Sequence, residues 1–304
     1  MRVWKALLRQ LGLFFVSSIV VFMISRALPR TPMEVYLQQH GLPVTAESIE
    51  ALERQWSLGG PLVLQYLRWI GRFSTGDWGT SIVTGEQISA AMAQRFPISL
   101  AIGLGGVILA AALAYPLGMK ASLGPRRWDR IARLITLLSQ AVPSFLICTL
   151  VIDLLGVRLG WIPFYRLSPR ASVVAPMLIV AFYSLGQLSR VVTGHVEQLR
   201  DEPFVTAAVA RGFVMADLLW RDGRRPVLYG LVSALIAKMA WVIGGTAVVE
   251  YVFAVPGMSY YLIKSIGSRD YTVVQSYLMV LVLWMFGARL VLSGLLAWLD
   301  PRTR

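Results

Sequence analysis

Six stretches of the chain, 7–28, 98–119, 134–156, 172–193, 228–250 and 274–297, are almost continuously apolar, and each is bounded by proline, glycine or charge. Each reaches the roughly 20 residues that a helix needs to cross a hydrocarbon core. The pattern therefore predicts an all-α membrane protein with six transmembrane helices. A long mixed segment, 29–97, separates the first span from the second. Within it Thr45 is placed to cap a helix over 46–56, with Glu47 in a first turn where the helix dipole favours an acid. Pro61 stands where a first-turn proline belongs, ahead of the apolar positions Leu62, Leu64, Tyr66, Leu67 and Trp69. The hexapeptide GDWGTS, Gly76 to Ser81, reads as a tight turn, and Gln87 to Arg95 as a second amphipathic stretch leading into span 2. The expected organisation is a tail and first span over 1–28, a helical outer segment over 29–97 and a membrane core over 98–304. A cytoplasmic loop, 197–226, joins spans 4 and 5 of that core.

Composition agrees with this reading. The 304 residues are 56% hydrophobic and 15% charged, with mean hydropathy +0.63, where a soluble domain carries about 25% charged residues. The net charge of +13 is the kind that sets topology and meets anionic headgroups; no nucleic-acid motif accompanies it. With the N-terminus inside, the inner tails and short loops hold sixteen Lys and Arg and the short outer loops five, which orients both termini to the cytoplasm. The apolar stretch from Leu11 to Leu28 is too long for a signal h-region, and no small-x-small cleavage site follows. It reads as a retained first helix.

Little in the chain points to chemistry of its own. There is no G-x-x-x-x-G-K-[ST], no H-E-x-x-H and no G-x-S-x-G in a strand–turn–helix setting. Cys148 stands alone, and His40 and His195 are far apart, so neither a disulfide nor a histidine metal cage is expected. No catalytic residue, metal ligand or bound cofactor is assigned. The acids within or ending spans are Asp153 and Glu250. Ions placed in lipid are costly and usually face a bundle interior or aqueous cavity, which makes Lys238 and Glu250 candidate linings of a pathway. Asp153 and Arg289 are readable as interfacial or snorkelling groups. Gly103, Gly105 and Gly106 in span 2, and Gly244 and Gly245 in span 5, permit close helix approach.

The most informative loop is EPFVTAAVARGFVMADLLWRDGRRP, Glu202 to Pro226. Phe204, Ala207, Ala208, Arg211, Leu218 and Leu219 give it an amphipathic helical pattern, interrupted at Gly212, where a sharp turn costs little. Asp217 is placed to begin a second helix, and Gly223 and Pro226 to end it. Such a segment either lies on headgroups or docks on a soluble partner.

Here the sequence resembles the permease subunits of bacterial ABC importers, in the dipeptide–oligopeptide–nickel branch. TAAVARG, Thr206 to Gly212, is similar to the family's E-A-A-x-x-x-G loop, with Thr206 in place of the acid. GDWGTS is similar to G-D-[LWF]-G-x-S, VVEYVFAVPG from Val248 to E-x-[VI]-F-x-x-P-G, and RDYTVVQ from Arg269 to RDYPVVQ. The terminal LDPRTR, Leu299 to Arg304, is similar to L-D-P-R-[IVT]-R. The stretches GLPVTAESIEAL and IGGTAVVEYVFAVPG lean toward the nickel or metallophore permeases.

The resemblance implies a six-helix permease that forms half of a pore with a second, paralogous permease. Two cytoplasmic ATPases holding ATP and Mg²⁺, and an extracytoplasmic substrate-binding protein, complete the importer. It implies ATPase coupling through Thr206, Ala207, Ala208, Arg211, Gly212 and Asp217. It implies an outer gate or receptor-docking role for Asp77, Trp78, Pro256, Gly257, Arg269, Asp270 and Tyr271. The competing reading is an ion-coupled secondary transporter working without an ATPase, for which the spans offer few acids; a third is a non-transporting scaffold.

Overall fold

A computed structural model describes residues 2–26, 31–55 and 60–299. Leu28 of the first predicted span, Trp56 of the predicted 46–56 helix and the LDPRTR tail beyond Leu299 lie outside them. The described residues are almost wholly helical, with α1 (Arg2–Arg26), α2 (Pro32–Gln39), α3 (Ala46–Gln55), α4 (Leu62–Ser74), α5 (Ile88–Leu123), α6 (Arg126–Ala141) and α7 (Ser144–Val151) in order. A π-helical turn (Ile152–Arg158), a 3₁₀ turn (Phe164–Arg166) and the single-turn α8 (Pro169–Ser172) lead into α9 (Val174–Arg200). Then come α10 (Pro203–Ala210), α11 (Met215–Arg221), α12 (Arg224–Gly244), α13 (Ala247–Val252), α14 (Met258–Gly267) and α15 (Tyr271–Leu299).

Three helices, Ile88–Leu123, Pro169–Arg200 and Tyr271–Leu296, are long and apolar enough to cross a membrane unaided. Two bent pairs qualify when each is taken as one span: Arg126–Ala141 with Ser144–Arg158, at 100°, and Arg224–Met239 with Trp241–Val252, at 58°. In α1 the apolar part is shorter, Gly12–Ile24. The predicted third span is therefore not one straight helix. Pro143 has no N–H for the ladder and bars helical backbone before it, so Val142 turns extended and α7 starts afresh. The predicted fifth span breaks at Gly245–Thr246, between α12 and α13, the pair Gly244–Gly245 being a common kind of kink site.

The chain forms two compact units. The first comprises Met1–Pro97 with Pro256–Phe286 and the second Ile98–Val255 with Gly287–Arg304, so Pro256–Phe286, assigned from sequence to the membrane core, clusters with the outer segment. In the first unit Thr31 and Glu34 form a reciprocal capping box that starts α2, a helix not foreseen from sequence. The Ser48 N–H donates to Thr45 Oγ1 at 3.2 Å, so Thr45 caps α3. Pro61 sits one place earlier than expected, as the extended residue ahead of α4. Val21, Phe73 and Met279 make the buried centre, with Trp69 and Trp78 against it. The Tyr66 hydroxyl lies 2.7 Å from Ser18 Oγ and fixes α4 on α1. Gln87 to Arg95 is not a separate element: α5 runs through Pro97 without a break.

In the second unit α9 is central. Its buried Leu188, Val192 and Val196 meet Ala110, Ala114 and Met119 of α5 and Val227 and Leu231 of α12. Where hydrocarbon is as apolar as any side chain, helices associate by close packing, and small residues permit the approach. A Cβ at Gly106 of α5 would lie 2.6 Å from Val180 Cγ1 and 2.8 Å from the Met177 carbonyl oxygen of α9. Similarly, a Cβ at Gly186 of α9 would lie 2.7 Å from Thr136 Cα of α6, and there the Thr136 hydroxyl donates to the Gly186 carbonyl at 3.1 Å. Gly194 of the same helix has nothing within 4 Å. Gly106→Ala is expected to lower stability by about 1–3 kcal/mol through overpacking, read as a lower melting temperature of the purified protein in nanodiscs. Gly194→Ala should leave the melting temperature unchanged or raise it slightly, by helix propensity alone.

Candidate functional site

The loop after α9 is a folded module. Pro203 starts α10 as its first helical residue. At the other end the Gly212 N–H donates to the Val209 carbonyl at 2.9 Å and the Phe213 N–H to that of Ala208 at 3.2 Å. With Gly212 at φ +92°, this is the left-handed helix ending that glycine favours. Val214 then leads directly into α11, with Asp217 in its first turn. Gly223 lies between α11 and α12, but Pro226 sits inside the first turn of α12 rather than ending a helix.

Two apolar pegs fix the module. Val205 of α10 and Leu219 of α11 are fully buried in the α5–α9–α12 core, and Trp220 meets Tyr115 edge-on at 5.9 Å. An Arg200 guanidinium N–H donates to the Ser122 carbonyl, tying the end of α9 to that of α5. Thr206, Ala207, Arg211, Gly212 and Asp217 are exposed, and Ala208 is half-buried. The Thr206 hydroxyl is turned back to the Pro203 carbonyl at 3.1 Å, so where the family motif has a charge this chain keeps its side chain within the helix. Phe204, Phe213 and Val214 expose 46, 61 and 62% of their surface, which makes the tip apolar. Sequence reasoning put Phe204 in an amphipathic pattern with Leu219 and passed over Val205, Phe213 and Val214. Two helices this short give no reliable period, and only a glycine followed by two large apolar residues could have marked the tip.

The residues assigned to the outer gate all lie in the first unit. Asp270 is only 2% exposed. Its carboxylate accepts from the Ser81 hydroxyl at 2.5 Å and from the N–H groups of Val83 at 3.4 Å and Val273 at 3.3 Å, so it caps α15 and clamps the 76–87 turn to it. Trp78 stacks on Phe73 at 4.9 Å and donates its indole N–H to the Phe73 carbonyl at 3.1 Å. Asp270 and Trp78 are thus placed as structural ties. Asp77, Pro256 and Arg269 are exposed, Tyr271 is half-buried and Gly257 is buried ahead of α14. Arg269 adopts φ +60° at the end of α14, where its N–H donates to Ile266 and that of Asp270 to Ser265. Nearby, the Arg95 guanidinium lies 4.4 Å from the Tyr261 ring centroid and 3.3 Å from Glu86. Burial, and then the Asp270 carboxylate, hold the Tyr261 phenol above its ordinary pKa, so it stays a neutral hydroxyl there.

Of the two candidate pathway groups, one reaches open space. Lys238 lines cavities of ≈ 470 Å³ and ≈ 210 Å³ in the second unit, which share Gln187 and Trp241 with it. By contrast, Glu250 is fully buried, with Oε1 2.7 Å from the Thr246 hydroxyl, and lines neither. This bond places it beside the helix break at Gly245–Thr246. Asp153 pairs with Arg158 at 2.7 Å, and Cys148 is buried. Among the described residues no group of three His, Cys, Asp or Glu could hold a metal ion.

Residues 106–304, which contain the pegged module and these cavities, match the family described as binding-protein-dependent transport system inner membrane component. The chain belongs to this family. It is 26% identical over 303 residues, covering 99% of this chain and 98% of the relative, to the glutathione transport system permease protein GsiC of Salmonella paratyphi A. It is equally 26% identical over 301 residues, 99% of this chain and 97% of the relative, to GsiC of Escherichia coli K12. A Brucella abortus protein with the provisional name of a peptide transport system permease is 26% identical over 313 residues, 99% of this chain and 98% of its own. This family member is a permease component of an ABC importer and a multi-pass inner-membrane protein, not an enzyme, and membership implies ATPase and substrate-binding partners.

The Asp270 clamp and the Arg269 turn give opposite predictions. Asp270→Ala leaves the Ser81 hydroxyl and two N–H groups without their acceptor, and is expected to destabilise the first unit by about 2–3 kcal/mol. Arg269→Gly relieves a left-handed residue and should stabilise it by about 1 kcal/mol. Hydrogen exchange at the amides of 81–88 and 270–274 reads both.

Proposed function

We propose that this chain is one half of the translocation pathway of an ABC importer for a small peptide-like solute. Six spans place both termini in the cytoplasm. A second, paralogous permease completes the pore, two ATPases carrying ATP and Mg²⁺ dock on the α10–α11 module, and a substrate-binding protein delivers cargo outside. The carrying observation is the module itself. Val205 and Leu219 are inserted into the helix core, while an apolar tip of Phe204, Phe213 and Val214 beside Arg211 is left uncovered. A loop that only joined two spans would need neither. Movement imposed on the tip passes through the pegs to α9 and α12.

Thr206, Ala207, Ala208, Arg211, Gly212 and Asp217 are assigned to this joint, with Phe213 and Val214 added. Asp77, Pro256, Arg269 and Tyr271 are assigned to the outer face that meets the binding protein, with Trp78, Gly257 and Asp270 holding them. The names of the relatives speak for glutathione or peptide cargo. The nickel and metallophore lean finds no support in those names. An ion-coupled transporter would have no use for the uncovered tip.

The test is co-purification of the chain with its ATPases and partner permease, followed by vanadate-sensitive ATP hydrolysis with and without the binding protein. Phe213→Asp, which changes an exposed side chain, is expected to reduce ATPase association at least tenfold with the melting temperature unchanged. Association and stimulated hydrolysis equal to the unsubstituted complex would place the joint elsewhere.

A further inference from the structure

Three open spaces in the second unit share their walls. The largest, ≈ 470 Å³, includes Gln140 of α6, Tyr183 and Gln187 of α9 and Lys238 of α12 in its lining. A second, ≈ 210 Å³, shares Gln187 and Lys238 with it. A third, ≈ 420 Å³, shares Gln140 and Gln187 and adds Arg190. Tyr183, Gln187 and Arg190 stand at i, i+4 and i+7 of α9 and so form one stripe along that helix. The spaces therefore adjoin along one groove, in which the polar side chains are set among apolar walls.

The chemistry of that groove has one sign. Its charged walls are Lys238 and Arg190, its other long polar walls the amides of Gln140 and Gln187, and neither Asp nor Glu lines any of the three spaces. Among the described residues the ion pairs are Arg95–Glu86, Arg133–Asp129 and Arg158–Asp153, so neither cation is neutralised by one. Lys238 Nζ has only an aromatic face beside it, 5.5 Å from the Trp241 ring centroid. A lysine held in a membrane span at this cost, with no ion pair to it among the described residues, is suited to a transient counter-ion. Low-dielectric walls lined by one sign of charge concentrate ions of the other sign.

We propose that the groove is an anion-selective stretch of the translocation path. Lys238 and Arg190 receive the free carboxylates of a passing solute, and Gln140 and Gln187 exchange hydrogen bonds with its amide groups. The solute class is a small acidic or zwitterionic peptide with a free carboxyl terminus, and bare divalent cations and polycationic peptides are repelled. This rests on the permease reading above and adds a specificity that the pore itself imposes.

The test measures the field in the groove without depending on the choice of cargo by the binding protein. Gln187→Cys, and separately Gln140→Cys, are made in a Cys148→Ala background and assembled into the full importer in proteoliposomes. Each is labelled with 2-sulfonatoethyl methanethiosulfonate (anionic) and 2-(trimethylammonio)ethyl methanethiosulfonate (cationic), and each rate is normalised to that with free 2-mercaptoethanol. The anionic reagent is expected to be favoured by about tenfold, at the low end of what such focusing gives. Adding Lys238→Gln and Arg190→Gln should bring the ratio close to one. A ratio at or below one with both cations present, a preference that survives their removal, or no labelling at either position overturns the proposal. Stimulated ATP hydrolysis of the unsubstituted importer is measured alongside. Its absence counts against the permease reading, whereas hydrolysis without charge preference counts against the filter alone.

Discussion

The close seating of neighbouring helices on α9 is the constraint on which the second unit rests. In hydrocarbon there is no water to drive apolar surfaces together, so helices hold by contact distance and by hydrogen bonds made at that distance. α9 meets α5 at Gly106, where Val180 and the Met177 carbonyl leave no room for a methyl group, and α6 at Gly186. The same helix gives Val192 and Val196 to the core that receives Val205 and Leu219, and Tyr183, Gln187 and Arg190 to the groove. One helix thus carries both the pegs of the α10–α11 module and a wall of the groove, so in the proposed importer the joint to the ATPases and the path share one element.

Helix endings divide the legible from the illegible. The turn at Gly212 could be read from the chain because glycine announces a left-handed residue. The same hydrogen-bond pattern closes α13 at Ala254, with φ +51°, and α14 at Arg269, with φ +60°. Neither residue signals it, and both bear the backbone cost that glycine avoids, about 1–2 kcal/mol each. They flank the VPG segment, and the surrounding contacts rather than local preference hold these turns.

The long apolar helices were legible because lipid imposes length and polarity on them, although three qualify as spans unaided, five with the bent pairs, and the apolar part of α1 is shorter than predicted. The break at Val142–Pro143 was not, since a proline inside an apolar run leaves the hydropathy unchanged. The Thr31–Pro32–x–Glu34 capping box was present in the sequence and marks α2, although no long apolar period follows it. Asp270 beside Arg269 looked like an outward-facing charge. Its burial depends on Ser81, 189 positions away, and separations of that size have no signature in a single sequence. Family motifs located the α10–α11 module, but which of its apolar residues face inward was settled only by the three-dimensional core.

A proline break in a membrane helix invites the idea of a pivot. Here the Val142 carbonyl, at the break itself, accepts from the Tyr183 hydroxyl of α9 at 2.5 Å, and the Thr136 hydroxyl holds α6 to the same helix at Gly186. The 100° corner is therefore tied to α9 at its apex and again within α6. A corner tied in this way is expected to act as a bracket rather than a hinge, with α6 following α9. In the importer proposed above, such a corner would favour rearrangement of the shear kind, whole brackets sliding on their neighbours, with the groove wall from Gln140 to Tyr183 carried along.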